Sequence, residues 1–201
     1  MFRMTQRALV ALCLTAAPAA ADDGPVAITP EMHSVTVPTE GGPVDISRVQ
    51  DTENQLDAFW SQTSRPCPNF CIQPLVPAEG VTPIGELELL DMLQDPDVVV
   101  ADGRVRRQFE AGTIPGAVSV PYLEAADRLD LLGCALDFEG FDCAVDGLKK
   151  VALFCNGPWC AQSPTAARRM IEAGFPAENI FYYRGGMQMW QLFGLTVVEG
   201  F

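Results

Sequence analysis

Val151-Ala152-Leu153-Phe154-Cys155-Asn156-Gly157-Pro158-Trp159-Cys160-Ala161-Gln162-Ser163-Pro164 is the stretch on which the reading of this chain turns. Four apolar residues run into a cysteine, a loop rich in structure breakers follows, and Ser163-Pro164 opens a helical pattern. Ser163 is suited to the N-cap, and Pro164 to the first helical position, where its missing N–H would have no partner anyway. Ala166, Ala167, Met170 and Ile171 continue an apolar helical face, and Gly174 is placed to end it. The pattern predicts a buried strand, a loop carrying Cys155, and a helix whose N-terminus faces that loop. The unpaired N–H groups and positive dipole of such a helix end can hold a sulfur anion and lower a thiol pKa. A buried structural cysteine at a strand end is the competing reading.

Upstream, Gly85–Gln94 reads as a helix, and Val98-Val99-Val100-Ala101 is a continuous apolar run suited to a strand covered on both faces. Asp102-Gly103-Arg104 lies at its end. Val105–Glu110 is helical, ended by Gly112. Ala117–Val120 is a second short strand, and Tyr122–Leu132 a further helix. Downstream, Asn179–Tyr183 forms a strand with Arg184 and Gly185-Gly186 at its end. Met187–Phe193 forms a helix and Leu195–Val198 a last strand. Strands alternating with helices predict an α/β fold with a central, mostly parallel sheet flanked by helices. Ligands of such sheets sit beyond the carboxyl ends of the strands, where Asp102, Cys155 and Arg184 fall.

Residues 1–21 carry Arg3 and Arg7, an apolar run from Ala8 to Ala16, and Ala19-Ala20-Ala21 before Asp22-Asp23. This is the layout of a secretory signal peptide cleaved after Ala21. The run is too short to span a bilayer, no later stretch is longer, and Cys13 inside it reads as leader and not as a lipid anchor. The expected mature protein is therefore soluble and periplasmic. Without Arg3 and Arg7 the 13 Lys and Arg become 11 against 26 Asp and Glu, a net charge of −15. Such a chain lacks the basic footprint of nonspecific nucleic-acid binding.

Residues 22–84 form an N-terminal extension ahead of a domain over 85–199. Ser34–Val37 and Val44–Val49 read as paired strands around the turn Glu40-Gly41-Gly42-Pro43. His33, the single histidine, reads as a surface residue. Leu56, Phe59 and Trp60 have the spacing of a short helix, with core packing as the expected role and partner docking as the alternative. In Arg65-Pro66-Cys67-Pro68-Asn69-Phe70-Cys71-Ile72-Gln73-Pro74 the prolines oppose a helix. The six cysteines left after Cys13 favour disulfides in an exported chain. Sequence neighbours give the simplest pairs: Cys67 with Cys71, Cys134 with Cys143, and Cys155 with Cys160 as a further candidate. A second redox dithiol at Cys67/Cys71 is the functional alternative to a local staple. One histidine and the absence of CxxC spacing argue against a zinc site, and no metal or cofactor is expected.

One ordered set of motifs carries a family resemblance. It comprises Asp102-Gly103-Arg104, Phe109 to Ala117, Leu153-Phe154-Cys155, Ser163 to Gly174, Tyr183-Arg184-Gly185-Gly186, Trp190 and Gly194-Leu195. In order and spacing it resembles the rhodanese-like domain over roughly 85–198, with a two-cysteine loop found in part of that family. The resemblance implies a sulfurtransferase. Cys155 would be the nucleophile that takes a sulfane sulfur from a donor such as thiosulfate and passes it from a persulfide to a thiol or cyanide. Cys160 would be a resolving thiol. Asn156, Gly157, Trp159, Ser163, Arg104 and Arg184 are the candidate substrate-binding residues. The loop differs from the common form: it is about two residues longer, Ala161-Gln162 stand where an arginine is usual, and Thr113 stands where histidine is frequent. A thiol–disulfide redox protein cycling Cys155 and Cys160, and a non-catalytic module docking an exported protein partner, are the alternative functions.

Overall fold

The computed structural model describes residues 24–138 and 140–201. The leader-like segment with Cys13 and its cleavage site lies outside the described residues. None of the described helices is long and apolar enough to cross a membrane.

The chain begins with a hairpin of β1 (Ser34–Val37) and β2 (Val44–Ser47), followed by the single-turn helix α1 (Ala58–Ser61). Then come β3 (Thr82–Ile84), α2 (Glu86–Met92), β4 (Val98–Asp102), α3 (Arg106–Ala111) and β5 (Val118–Ser119). A small antiparallel pair, β6 (Ala135–Leu136) with β7 (Phe141–Asp142), precedes β8 (Lys150–Phe154). The chain closes with α4 (Gln162–Glu172), β9 (Ile180–Tyr183) and α5 (Gly186–Leu192). The main sheet is wholly parallel, in the order β3-β9-β8-β4-β5, so the strand that ends at Cys155 is central. Its edge strand β3 comes from 82–84, residues that the sequence reading leaves in the extension.

Side chains alternate between the two faces with the period of a strand. Val151, Leu153, Ala101, Ile180 and Tyr182 join Ala166, Ala167 and Met170 of α4 in one core cluster. Ala152, Phe154, Val100 and Tyr183 join Leu89 and Leu90 of α2 and Met187 and Trp190 of α5 in the other. That second cluster also takes Val35, Val37 and Ile46 from the hairpin, so the extension covers a face of the sheet.

Three expectations need correction. Helix α4 starts at Gln162 with Ala161 as its N-cap, one residue before Ser163. Ser163 does not cap because its side chain is buried toward Cys155. Pro164 is tolerated one turn in, since the first four N–H groups of a helix have no intrahelical partner. Residues 122–132 form a turn and a 3-10 segment, Ala125–Leu132, with non-helical angles at Arg128. Buried Ala125, Leu129 and Leu132 keep the spacing of a helical face, but the backbone kinks at Arg128 between them and interrupts the helix. Leu195–Val198 forms isolated bridges, with Arg48 at Leu195 and Thr113 at Val198, because its partners lie on separate segments.

Cys67–Cys71 and Cys134–Cys143 are disulfides, and Cys155 and Cys160 are buried free thiols. His33 is exposed.

Candidate active site

Strands β4, β8 and β9 end level with one another: Asp102 pairs with Phe154, and Phe154 with Tyr183. The Gly103 N–H donates to the Phe154 carbonyl at 2.9 Å, closing the sheet under the loop that follows. The loop 155–160 is held by the first turn of α5. Met187 and Gln188 donate their N–H groups to the carbonyls of Cys155 and Asn156, at 2.9 and 3.0 Å, using donors that a helix start leaves free. This contact requires glycine at 186. Its φ is +54°, and a Cβ there would collide with the Cys155 carbonyl and the Gly157 nitrogen.

The extension secures the other side. Gln73 N–H donates to the Pro158 carbonyl at 2.8 Å. Trp159 Nε1 donates to Gln188 Oε1 at 2.8 Å, and Gln188 Nε2 donates to the Trp60 carbonyl at 2.8 Å. Trp60 is partly buried against the second core cluster, as expected, whereas Phe59 is 44% exposed and stands over the loop.

The two thiols differ in their surroundings. Cys155 is sealed and donates to the Cys160 carbonyl at 3.3 Å, and the Cys160 thiol donates to Gln162 Oε1 at 3.3 Å. Burial pushes its pKa up, and the Cys160 thiol and its charge add to this. The adjacent Ser163 side chain and N–H oppose the rise without overcoming it. Cys160 is lowered to about 7, first by the hydrogen bond from Cys155, then by the main-chain N–H groups of Gln162 and Asn156 and the Asn156 amide. The expectation that the helix end would ionise Cys155 is therefore corrected: in this resting form the negative charge is favoured on Cys160, where more donors converge.

A cavity of about 390 Å³ opens beside the loop, lined by Phe59, Phe70, Gln108, Tyr122, Trp159 and Cys160, among others. Cys155 lies behind Cys160, off this wall. A second cavity of about 350 Å³ shares Phe59, Gln108 and Asn156 and reaches Arg104.

Of the candidate binding residues, Asn156, Gly157, Trp159 and Ser163 surround the two thiols. The arginines are committed elsewhere. Arg104 is 2% exposed and forms a two-pronged pair with fully buried Asp102, Nε to Oδ1 at 2.9 Å and Nη2 to Oδ2 at 2.6 Å. Thr113 Oγ1 donates to the same carboxylate at 2.9 Å. Arg184 Nε donates to the Gln73 carbonyl at 3.0 Å, bracing the extension. Sequence reasoning did not assign Phe59, Phe70, Gln108 or Gln188 to the site. Of these, only Phe70 lies in the unusual Pro- and Cys-rich run 65–74 that the sequence singles out.

The model of the rhodanese-like domain matches residues 86–192, more than half of the chain. The chain belongs to the rhodanese-like family. It is 32% identical over 124 residues to the HTH-type transcriptional regulator Rv0324 of Mycobacterium tuberculosis, covering 62% of this chain and 46% of that protein. It is 30% identical over 121 residues to the tRNA uridine(34) hydroxylase of Deinococcus radiodurans, covering 57% of this chain and 35% of that protein. The chain thus spans less than half the length of either relative. Among solved structures it is similar to a rhodanese-related protein from Thermoplasma volcanium, at 23% identity and a TM-score of 0.42, over 58% of this chain and 97% of that one.

Proposed function

We propose that this chain is an exported sulfurtransferase that carries a sulfane sulfur on the Cys155–Cys160 pair. The observation that supports it is two neighbouring buried free thiols in the loop at the end of the central strand of a rhodanese-like domain. Cys155 attacks the outer sulfur of a donor such as thiosulfate while its proton passes to the neighbouring Cys160 thiolate. The donor's sulfur–sulfur bond breaks, sulfite leaves, and a persulfide remains on Cys155. An acceptor thiol or cyanide then takes the outer sulfur. Alternatively, the Cys160 thiolate attacks the Cys155 sulfur, releases hydrosulfide, and leaves a Cys155–Cys160 disulfide that an external dithiol must reduce. The leader-like start and the two disulfides support export.

A second reading, a thiol–disulfide redox protein, is favoured by one feature. Cys160 lies on the cavity wall and ionises near neutral pH, as the attacking thiol of an exchange reaction does.

Peptide-mapping mass spectrometry after exposure of the reduced protein to thiosulfate or polysulfide separates the two. An adduct on the Cys155 peptide, absent in Cys155→Ser and longer-lived in Cys160→Ser, supports sulfur transfer. Formation of only the Cys155–Cys160 disulfide, with no adduct from any donor, overturns it.

A further inference from the structure

No Asp, Glu, Lys or Arg lines the cavity onto which Cys160 opens. Three of its lining side chains are rings that pack on one another: the Trp159 centroid is 4.8 Å from that of Phe70 and 6.3 Å from that of Phe59. Arg65 stands behind them, its guanidinium carbon 4.4 Å from the Phe59 centroid and 4.9 Å from each of the other two. Its nitrogens are shielded from solvent and it lines neither cavity, so it holds the rings in place and a ligand meets only the rings. Arg168 touches the lining from outside as well, donating to Thr165 Oγ1 at 3.3 Å.

The polar part of the lining beside Cys160 is amide. Asn156 Nδ2 donates to Gln108 Oε1 at 3.5 Å and to Gln162 Oε1 at 3.3 Å, and the Cys160 thiol donates to the same Gln162 oxygen at 3.3 Å. Both glutamine oxygens are thus engaged. The Nε2 groups of Gln108 and Gln162 have no acceptor among the described residues, and each carries two donors. The cavity therefore offers ring faces and neutral N–H donors around a sulfur that ionises near neutral pH. An anion entering it would meet a thiolate with no lining cation to offset the repulsion, in a chain of net charge −13. A cation would meet the same N–H donors with no lining carboxylate. A neutral body, with an apolar part for the rings and a carbonyl oxygen for the amides, meets neither penalty.

We propose that this cavity admits uncharged organic disulfides and that Cys160 is the sulfur at which they exchange. The Cys160 thiolate attacks one sulfur of R–S–S–R. That sulfur–sulfur bond breaks, RS⁻ leaves, and a mixed disulfide, Cys160–S–S–R, stands in the cavity. Cys155 then gives up its proton and attacks Cys160 Sγ. A second RS⁻ leaves and takes up that proton, and the Cys155–Cys160 disulfide remains. The two protein thiols are oxidised, and the organic disulfide is reduced to two thiols. Run backwards, the same cavity lets an uncharged thiol reopen the Cys155–Cys160 disulfide at Cys160. The proposal goes beyond the sulfurtransferase reading and does not rest on it, because no step involves a sulfane sulfur.

The test compares two matched probes. The disulfide of N-acetylcysteine amide is neutral and carries carbonyl groups; the disulfide of N-acetylcysteine differs by two carboxylates. Cys155→Ser lets the mixed disulfide accumulate on Cys160, where peptide mapping locates it. Each rate is divided by that of the same probe with 2-mercaptoethanol, which removes the intrinsic difference between the probes. At pH 8 the neutral probe should then be favoured roughly tenfold or more. Equal normalised rates overturn the proposal, and so does a Cys155 adduct that forms as fast in Cys160→Ser. Phe70→Ala tests the ring wall. Its reaction with the neutral probe should slow several-fold, whereas methyl methanethiosulfonate, too small to need the rings, should react at the wild-type rate. No slowing, or equal slowing with both reagents, removes the wall from recognition and overturns the proposal. If Phe70→Ala does not fold, Gln108→Lys decides: it should speed the anionic probe and narrow the ratio, and an unmoved ratio overturns the proposal. Persulfide loading of the wild type is scored apart. Its failure would sink the sulfurtransferase reading and leave the probe ratio to judge the cavity.

Discussion

Cys155 directs its thiol hydrogen to the carbonyl of Cys160 at 3.3 Å, while the neighbouring Cys160 thiol donates to Gln162 Oε1 at 3.3 Å and accepts from the Asn156 amide at 3.7 Å, so the two sulfurs face different partners. The Cys155 thiol first, then the Gln162 and Asn156 main-chain N–H groups and the Asn156 amide, favour ionisation at Cys160. The loop therefore separates two tasks that one cysteine would otherwise combine: a sealed sulfur that can carry a persulfide, and an ionised one beside it that can accept a proton or attack.

Alkylation should report this division directly. With iodoacetamide, Cys160 reacts first, and its rate follows the thiolate fraction, half-maximal near pH 7. Below that pH the rate falls about tenfold per unit, because the thiol holds its proton. Cys155 stays protonated and unlabelled at pH 8. In Cys155→Ala the strongest influence lowering the Cys160 pKa is gone, so the midpoint moves upward. Peptide mapping across pH checks both claims; preferential labelling of Cys155 would refute them.

The buried pair of Asp102 and Arg104 is scaffold for the loop, and its removal should cost stability. Arg104→Met strands a carboxylate at 0% exposure with Thr113 and one main-chain N–H as its remaining donors. Breaking a buried pair on one side costs about 3–5 kcal/mol. Replacing both, as Asp102→Asn with Arg104→Met, should cost less than Arg104→Met alone. Urea unfolding of the two variants measures the difference; equal midpoints to wild type would show that the pair is not structural.

The parallel sheet and its site-bearing ends were legible because β4, β8 and β9 are short apolar runs that stop at polar residues in register, Asp102, Cys155 and Arg184. Local disulfides at 67/71 and 134/143 were legible from spacing in the same way. The start of α4 was misjudged because Ser163 has two possible uses, a cap or a partner of Cys155, and the pattern does not say which one burial selects. Trp60 packs on the core as its spacing suggested, but Phe59 beside it lines a cavity, because helical spacing does not distinguish a core face from a cavity wall. The cage around Arg65 could not be read at all, since it joins residues 59, 65, 70 and 159 through the fold. Arg184 was read as an anion ligand from its place at a strand end; its Nε donates to the Gln73 carbonyl, a contact with the extension that the sequence did not reveal.

Gly186→Ala should disable the loop while leaving the sheet intact. The new Cβ meets the main chain at Cys155 and Gly157, which cannot swing aside as a side chain can. A positive φ adds strain of about 1–3 kcal/mol. The hydrogen bonds from Met187 and Gln188 to the loop should lengthen, and Cys160 should lose its lowered pKa. Circular dichroism should stay near wild type while the alkylation midpoint rises; an unshifted midpoint would contradict the stated role of this contact.

Ile46→Ala tests whether the extension folds with the domain. Ile46 is fully buried in the same cluster as Trp190 and Phe154, and Ser47 and Thr196 bridge the hairpin to the chain's end through hydrogen bonds of 3.0 and 3.1 Å. Truncating a buried isoleucine costs about 2–5 kcal/mol through lost burial and the cavity left behind. If the hairpin is part of one cooperative core, the whole unfolding curve shifts to lower denaturant as a single transition, and Trp190 fluorescence follows the far-ultraviolet signal. If the hairpin were an independent appendage, the variant would lose an early, separate transition while the main one stayed in place. The single shifted transition is expected, because the residues that Ile46 touches are those that support the floor of the cysteine loop.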